Sequence, residues 1–269
     1  MRTKSLIPLA IAAALTTTPA LAQYTSGSVM VRVGASYVDP SEDIFTLTES
    51  FFVDDPSTGT SDDPVDEAVP TDVVVDLDLD TDTTWYVSFA WMAADHWGVE
   101  LYHSNSADLD ANFAVDVFAD DVLTNGGFGS IGDFEMNTTS LFANWYPLDA
   151  TCMIQPYVGV GAAYVDIEQD FLRPVFVDDG SAEGLLNFGS DFSWTAQVGV
   201  DFNFGRDSAW QVNVSAMYVD ASPELELGYD QRVDAPGFVQ PDFVPVRVRQ
   251  DMDIDPWIFN LGVGYKFSF

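Results

Sequence analysis

A chain of 269 residues with 9 Lys and Arg against 43 Asp and Glu carries a formal charge of −34, yet 47% of it is hydrophobic. The acidic balance excludes nucleic-acid binding, because phosphates demand clustered Lys and Arg. It suits cations, or a saline habitat in which an acidic surface stays solvated. One cysteine, Cys152, excludes an internal disulfide, and two histidines, His96 and His103, do not supply a histidine-rich metal site.

The chain opens with Arg2 and Lys4, an apolar run from Leu6 to Leu15, and Ala20-Leu21-Ala22 before Gln23. This order predicts a secretory signal peptide, residues 1–22, cut after Ala22. The run is shorter than the ~20 apolar residues a membrane helix needs. Without Arg2 and Lys4 the remainder keeps 7 basic and 43 acidic residues, a charge of −36. No other run reaches that helical length, so residues 23–269 can enter a membrane only as a closed barrel, since lipid leaves no backbone group unpaired.

Eight strands can be counted, joined alternately by short and long connections. The first, about residues 28–38, sets Val29, Val31, Val33, Ala35 and Tyr37 against Arg32, Gly34 and Ser36. A long acidic segment to about residue 80, with Asp54-Asp55-Pro56, Asp62-Asp63-Pro64 and Pro70, reads as an exterior loop with little core of its own. The second strand, about 81–92, turns Trp85, Val87, Phe89 and Trp91 outward and Tyr86 and Ser88 inward. After a tight turn at residues 94–97, the third, about 98–107, opposes Val99 and Leu101 to Glu100, Tyr102 and Ser104. The cluster Asn125-Gly126-Gly127 with Gly129 predicts another long loop.

Strand four, about 135–146, places Leu141, Ala143 and Trp145 outward, with Phe142 an apolar exception among the inward positions. Strand five, about 156–168, has two small or apolar registers, so its phase stays open. Strand six alternates Phe192, Trp194, Ala196, Val198, Val200, Phe202 and Phe204 with Ser193, Thr195, Gln197, Gly199, Asp201 and Asn203. The turn Gly205-Arg206-Asp207 leads to strand seven, with Trp210, Val212, Val214, Ala216 and Tyr218 against Gln211, Asn213 and Ser215. A last long loop, about 221–250, carries Pro223, Pro236, Pro241 and Pro245.

The final stretch, residues 255–269, is the most regular. Trp257, Phe259, Leu261, Val263, Tyr265, Phe267 and Phe269 alternate with Ile258, Asn260, Gly262, Gly264, Lys266 and Ser268. One face is apolar with aromatics at both ends, which fits a lipid-facing strand whose rings sit at the two membrane interfaces. Outer-membrane barrels commonly finish on an aromatic that the barrel-assembly machinery reads, and Phe269 supplies one. The whole pattern predicts an all-β fold: an eight-stranded antiparallel transmembrane β-barrel with short periplasmic turns and long acidic extracellular loops. It would sit in the outer membrane among lipid and lipopolysaccharide. Asp251, Asp253 and Asp255 continue the outward register, so either the strand rises above the membrane there, the favoured reading, or a bulge at Pro256 changes its phase.

At this point the chain resembles the outer membrane protein W (OmpW) family. The resemblance rests on Met92-Ala93-Ala94-Asp95, Gly98-Val99-Glu100-Leu101, Asn144-Trp145-Tyr146 and Gln155-Pro156-Tyr157-Val158-Gly159-Val160-Gly161. It continues through Gln197-Val198-Gly199-Val200-Asp201, Asp255-Pro256-Trp257-Ile258-Phe259 and Gly262-Val263-Gly264-Tyr265-Lys266-Phe267, all in order along the barrel. It implies an eight-stranded barrel and passage of small hydrophobic molecules through a narrow, partly apolar channel. The chain departs from the family in its long acidic first loop and in ending Phe267-Ser268-Phe269.

Two constellations could carry function. Arg32, Glu100, Asp201 and Lys266 are inward and near the periplasmic end, so two carboxylates can answer two cations in a network that plugs the lower bore. The bland alternative has some of them facing periplasmic water. Above them, Tyr86, Ser88, Thr195 and Gln197, with the inward Asn213 and Asn260, would line the channel. The second constellation is Asp76, Asp78, Asp80 and Asp82, in phase with Tyr86 and Ser88. It reads as a weak cation-attracting or Ca²⁺-binding ladder at the outer mouth, or as a solvated strand extension. No cofactor and no committed metal site is expected. No Ser-His-Asp set converges and no Gly-x-Ser-x-Gly occurs, which speaks against an enzyme. The two readings carried forward are a passive channel for small hydrophobic solutes and a structural or surface-interaction barrel whose acidic loops bind cations or partners.

Overall fold

The computed structural model describes residues 24–41, 45–54, 68–119, 122–169, 184–204, 209–233 and 242–268. The expected signal peptide (1–22), the turn Gly205-Arg206-Asp207, the terminal Phe269 and the loop stretches at Asp55-Pro56, Asp62-Asp63-Pro64, Pro236 and Pro241 lie outside them. The described strands are β1 (Val29–Asp39), β2 (Phe45–Asp54), β3 (Ala68–Leu79), β4 (Asp82–Ala94), β5 (Trp97–Ala119), β6 (Val122–Trp145) and β7 (Ile154–Gln169). They continue with β8 (Gly184–Phe188), β9 (Ser190–Asn203), β10 (Trp210–Val219), β11 (Glu224–Val233), β12 (Asp242–Asp251) and β13 (Trp257–Phe267).

Eight of these close on themselves: β1 pairs with β4, then β5, β6, β7, β9, β10 and β13 follow, and β13 returns to β1. Every ladder is antiparallel, and closure leaves no edge inside the lipid. Outward side chains are bare along every wall strand, as at Phe89 (48% exposed), Leu261 (61%) and Val160 (61%), a hydrocarbon-facing surface. Rings mark its two limits. Trp194, Tyr218 and Trp257 touch in sequence across β9, β10 and β13 at 5.5 Å centroid spacing. At the other end Trp210 meets Tyr265 at 5.1 Å, and Tyr265 meets Phe267 at 4.8 Å. From Trp257 to Phe267 the strand rises roughly 33 Å along its own axis, and a tilt of about 40° makes that about 25 Å of membrane.

The phase of the fifth predicted strand is now decided. On β7, Gln155, Tyr157, Ala163, Val165 and Ile167 are buried within, while Val158, Val160 and Tyr164 face out. Two inward glycines make room for rings that cross the bore: a Cβ on Gly199 would overlap the Tyr157 ring, and one on Gly262 the Tyr86 hydroxyl.

Three expected loops are largely strand. The acidic segment after β1 contains the hairpin β2–β3, and β3 pairs with the outer half of β5. Asn125, Gly126, Gly127 and Gly129 lie within β6, paired to β5 almost to its tip. The proline-bearing connection before the last strand holds β11 and β12, joined by β8 in a separate three-stranded sheet. Turn-forming residue types were outvoted by the ladder, because a long partner strand supplies hydrogen bonds that glycine itself does not refuse.

The aspartate ladder is also corrected. Leu77 and Leu79 are buried, while Asp78 and Asp80 are exposed, so the carboxylates of β3 do not share the inward register of Tyr86 and Ser88. The physical reason is a phase change: β3 ends at Leu79, β4 starts at Asp82, and β5 answers with a register shift between Ser104 and Ala107. Asp82 is occupied locally, accepting the Asp108 backbone N–H at 2.8 Å.

The approach to β13 stays in phase. Met252, Ile254 and Ile258 are fully buried while Asp251 and Asp253 are exposed, above the Trp257 ring. Asp255 takes a left-handed backbone (φ 38°) that ends the straight run. Burial holds its carboxyl above the usual range, against a hydrogen bond from Tyr218, and the like charges of Asp220 and Asp253 push the same way as burial. A raised carboxyl binds its proton more tightly in the folded state. Stability therefore grows as pH falls through the interval from that raised value to the ordinary one near 4, and is lost as pH rises through the raised value. Asp255→Asn is expected to raise the unfolding temperature at about pH 7 and to leave it unchanged at about pH 3, where both states are protonated, as read by calorimetry in detergent.

Candidate functional site

The inward residues of the eight wall strands sort by height into an ionic floor, a hydroxyl and amide collar, and an apolar upper bore. Arg32 on β1 is the centre of the floor. Its guanidinium reaches across the lumen, with Nη1 2.7 Å from Glu100 Oε1 on β5 and Nη2 2.7 Å from Asp201 Oδ2 on β9. All three are buried, at 1%, 3% and 0% exposure, so water does little to screen them. Nη2 also donates to the Tyr146 hydroxyl at 3.2 Å, and the cation lies 5.4 Å from the Tyr157 ring centroid.

The carboxylates are satisfied on their far sides. Glu100 Oε2 accepts Asn144 Nδ2 at 2.6 Å and Gln197 Nε2 at 3.1 Å. Asp201 Oδ1 accepts Asn213 Nδ2 at 2.7 Å. Below them Tyr24, from the segment before β1, inserts its hydroxyl within 2.8 Å of Asp201 Oδ2 and 2.7 Å of Gln211 Oε1. Its ring packs on Tyr146 at 5.3 Å.

The structure therefore brings Arg32, Glu100 and Asp201 together and sets Lys266 apart. Lys266 donates to Asn203 Oδ1 at 2.6 Å and sits 4.7 Å from the Tyr24 ring centroid, with no ion pair among the described residues. The like charges of Arg32 and Lys266 are kept from crowding by the tyrosine between them. Underneath, a hollow of about 190 Å³ opens to the periplasmic side, lined by Tyr24, Tyr146, Asp95, His96, Leu148 and Asp149 among others. The Thr151 backbone N–H and hydroxyl hold the Asp149 carboxyl below the usual range.

Of the residues expected to line the channel, Gln197 and Asn213 belong to the floor, and Ser88 stands opposite Arg32 in the β1–β4 ladder. Tyr86 and Asn260 lie in the collar: Tyr86 donates to Asn213 Oδ1 at 3.4 Å, and Asn260 Oδ1 accepts from Tyr102 at 2.9 Å. The Tyr86 and Tyr102 rings stack at 5.4 Å. Thr195 is tied to the wall, donating to the Tyr218 carbonyl at 2.7 Å.

Above the collar the lining is apolar and made by residues the strand pattern does not single out. The upper bore is one apolar cluster that includes Leu109, Phe134, Met136, Val165, Ile167, Met217, Met252, Ile254 and Ile258, with Leu77 and Leu79 folded in from β3. Part of the signal was legible, since Ile254 and Ile258 share the register of Asn260. Ala107 and Leu109 could not be placed, because the shift beyond Ser104 inverts which residues face inward.

The OmpW family profile matches residues 25–267. This chain belongs to the OmpW family. Outer membrane protein W of Salmonella typhi is 30% identical over 195 residues, spanning 71% of this chain and 76% of that protein. Outer membrane protein W of Vibrio cholerae is 25% identical over 265 residues, 96% of this chain and 97% of its own length. Among solved structures, the outer membrane protein OprG from Pseudomonas aeruginosa superposes with a TM-score of 0.58 at 21% identity, covering 91% of this chain and 98% of OprG. The shared fold is an outer-membrane barrel, and the outer membrane, with its lipid and lipopolysaccharide, is where this OmpW-family chain resides.

Removing one partner of a buried ion triad leaves uncompensated charge. Arg32→Met is expected to destabilise the barrel by roughly 3–5 kcal/mol, and the triple change Arg32→Met, Glu100→Gln, Asp201→Asn to recover most of that loss, measured by urea unfolding in detergent micelles.

Proposed function

We propose that this barrel is a passive conduit for small, mostly hydrophobic solutes across the outer membrane, with no chemical step. The observation that carries the reading is an apolar upper bore set above a buried ionic floor, with a neutral hydrogen-bonded collar between them. A solute leaving water for that bore gains on the order of 25 cal/mol per Å² of apolar surface covered. Met136, Met217 and Met252 are unbranched and adaptable, so the lining can re-form around unlike shapes. Tyr86, Ser88, Thr195, Gln197, Asn213 and Asn260 then act as the polar limit of the pathway, rather than its whole wall.

Under this reading the floor of Arg32, Glu100 and Asp201, with Tyr24 and Lys266 beneath, acts as a plug that stops ions and sends an apolar solute sideways into the bilayer. A bare ion meeting this layer would have to displace bonds that already use both carboxylates. The stretch we expect the barrel-assembly machinery to read is β13 together with the Phe269 that follows it in the sequence.

Vesicles carrying the barrel should take up a small fluorescent apolar solute several-fold faster than empty vesicles, while planar bilayers show little steady ion current. Met217→Trp, which fills the upper bore, should slow uptake without altering the folded fraction. Uptake equal to that of empty vesicles would remove the conduit and leave a surface-interaction barrel.

A further inference from the structure

The segment before β1 turns back into the bore. The Ser28 N–H donates to the Thr25 carbonyl at 3.0 Å, closing a tight turn in which Gly27 takes φ 90°, a value glycine adopts without strain. That reversal lifts Tyr24 into the lumen from the periplasmic end, where it is 3% exposed. Its ring lies 4.7 Å from the Lys266 ammonium and 5.3 Å from the Tyr146 ring, and its hydroxyl is 2.8 Å from Asp201 Oδ2. Under this cover Lys266 is 4% exposed.

The hook is gripped at its head and loose along its body. Ser26 is exposed and meets its neighbours at long range, its N–H 3.4 Å from Asp95 Oδ1 and its hydroxyl 3.4 Å from the Ala93 carbonyl. Gly27 is the pivot: the Met92 carbonyl holds its N–H at 2.8 Å, while a Cβ built on it would meet nothing within 4 Å. Withdrawal of Tyr24 also leaves the floor paired. Asp201 keeps Arg32 and Asn213, each at 2.7 Å, and Lys266 keeps Asn203 at 2.6 Å. The Gln211 Oε1 that Tyr24 leaves takes water in exchange. The ion triad is the opposite case, since parting it strands a buried charge. Elements with few buried contacts open more readily than the whole fold.

We propose that residues 24–27 form a latch that opens and closes in the folded barrel, swinging on Gly27, with Tyr24 as the seal between periplasmic water and the ionic floor. Closed, it keeps the floor dry and low in dielectric, where opposite charges attract strongly. Open, it makes the lower bore a wet vestibule with the Lys266 ammonium on its wall, while the triad above stays shut. The latch acts on the periplasmic side alone, whatever the upper bore carries.

Lys266 reports the latch directly, because it is the one lysine after residue 22. The protein, folded in micelles, is treated with the N-hydroxysuccinimide ester of acetic acid, and acetylation of Lys266 is followed by mass spectrometry of its peptide. The rate should rise many-fold in Tyr24→Ala and by a smaller factor in Tyr24→Phe, which keeps the ring and loses the hydroxyl. On a Cys152→Ser background, the pair Ser26→Cys and Asp95→Cys ties the hook to the neighbouring turn when oxidised. Labelling should then fall several-fold below its reduced level. Heat-dependent gel mobility reads folding in every variant, and Tyr24→Phe carries the test if Tyr24→Ala does not fold. Wild-type rates in the folded Tyr24 variants, or a rate in the tied barrel equal to that of the reduced one, would overturn the proposal.

Discussion

A guanidinium sealed inside a barrel has to be answered from several strands at once, and much of this structure follows from that demand. Arg32 projects from β1, but its two carboxylates come from β5 and β9, on separate arcs of the wall. Each carboxylate is then held by amides on other strands: Asn144 and Gln197 for Glu100, Asn213 for Asp201. The layer works as a set of spokes. A circular wall of backbone ladders resists pulling apart but has little to keep it from flattening, and an ion triad across the lumen fixes its diameter. Tyr157 and Tyr86 reach into the same space because Gly199 and Gly262 leave room for them.

Height along the bore is the second organising variable. The floor is ionic, the collar of Ser36, Tyr102, Asn260 and Ser215 is hydrogen-bonded and neutral, and the upper bore is apolar. This is a gradient of solvent quality inside a single wall. Under the proposed function, ions would meet it as a cost and an apolar molecule as a well near the outer mouth. The proposed conduit rests on this ordering, with the ionic floor as the reason it would release a solute sideways.

Outside the membrane the same ladders continue without the lipid that made closure compulsory. Among the described residues the wall continues as two sheets, β2-β3-β5-β6 and β12-β11-β8.

Much of the fold was readable in order, and the reasons are local. Lipid outside and a cramped interior impose a two-residue alternation, so Trp85 to Trp91, Phe192 to Phe204 and Trp257 to Phe267 announced their strands, their faces and their membrane limits. The inward charges Arg32, Glu100 and Asp201 could be picked out because charge at a lumen position needs a partner. What alternation cannot carry is a change of phase. One extra residue between Leu79 and Asp82, and another beyond Ser104, reverse inside and outside, and no residue type marks the spot. Hence alternation alone puts the aspartates of β3 on the wrong face, hides Leu77 and Leu109 from the lining, and makes the glycine cluster inside β6 read as a loop. The sequence by itself determined that the chain is a membrane barrel with charge in its lower bore. Only the tertiary structure decided which charges meet, that Lys266 stands apart, and that the upper bore is apolar, because those depend on register between strands far apart in the chain.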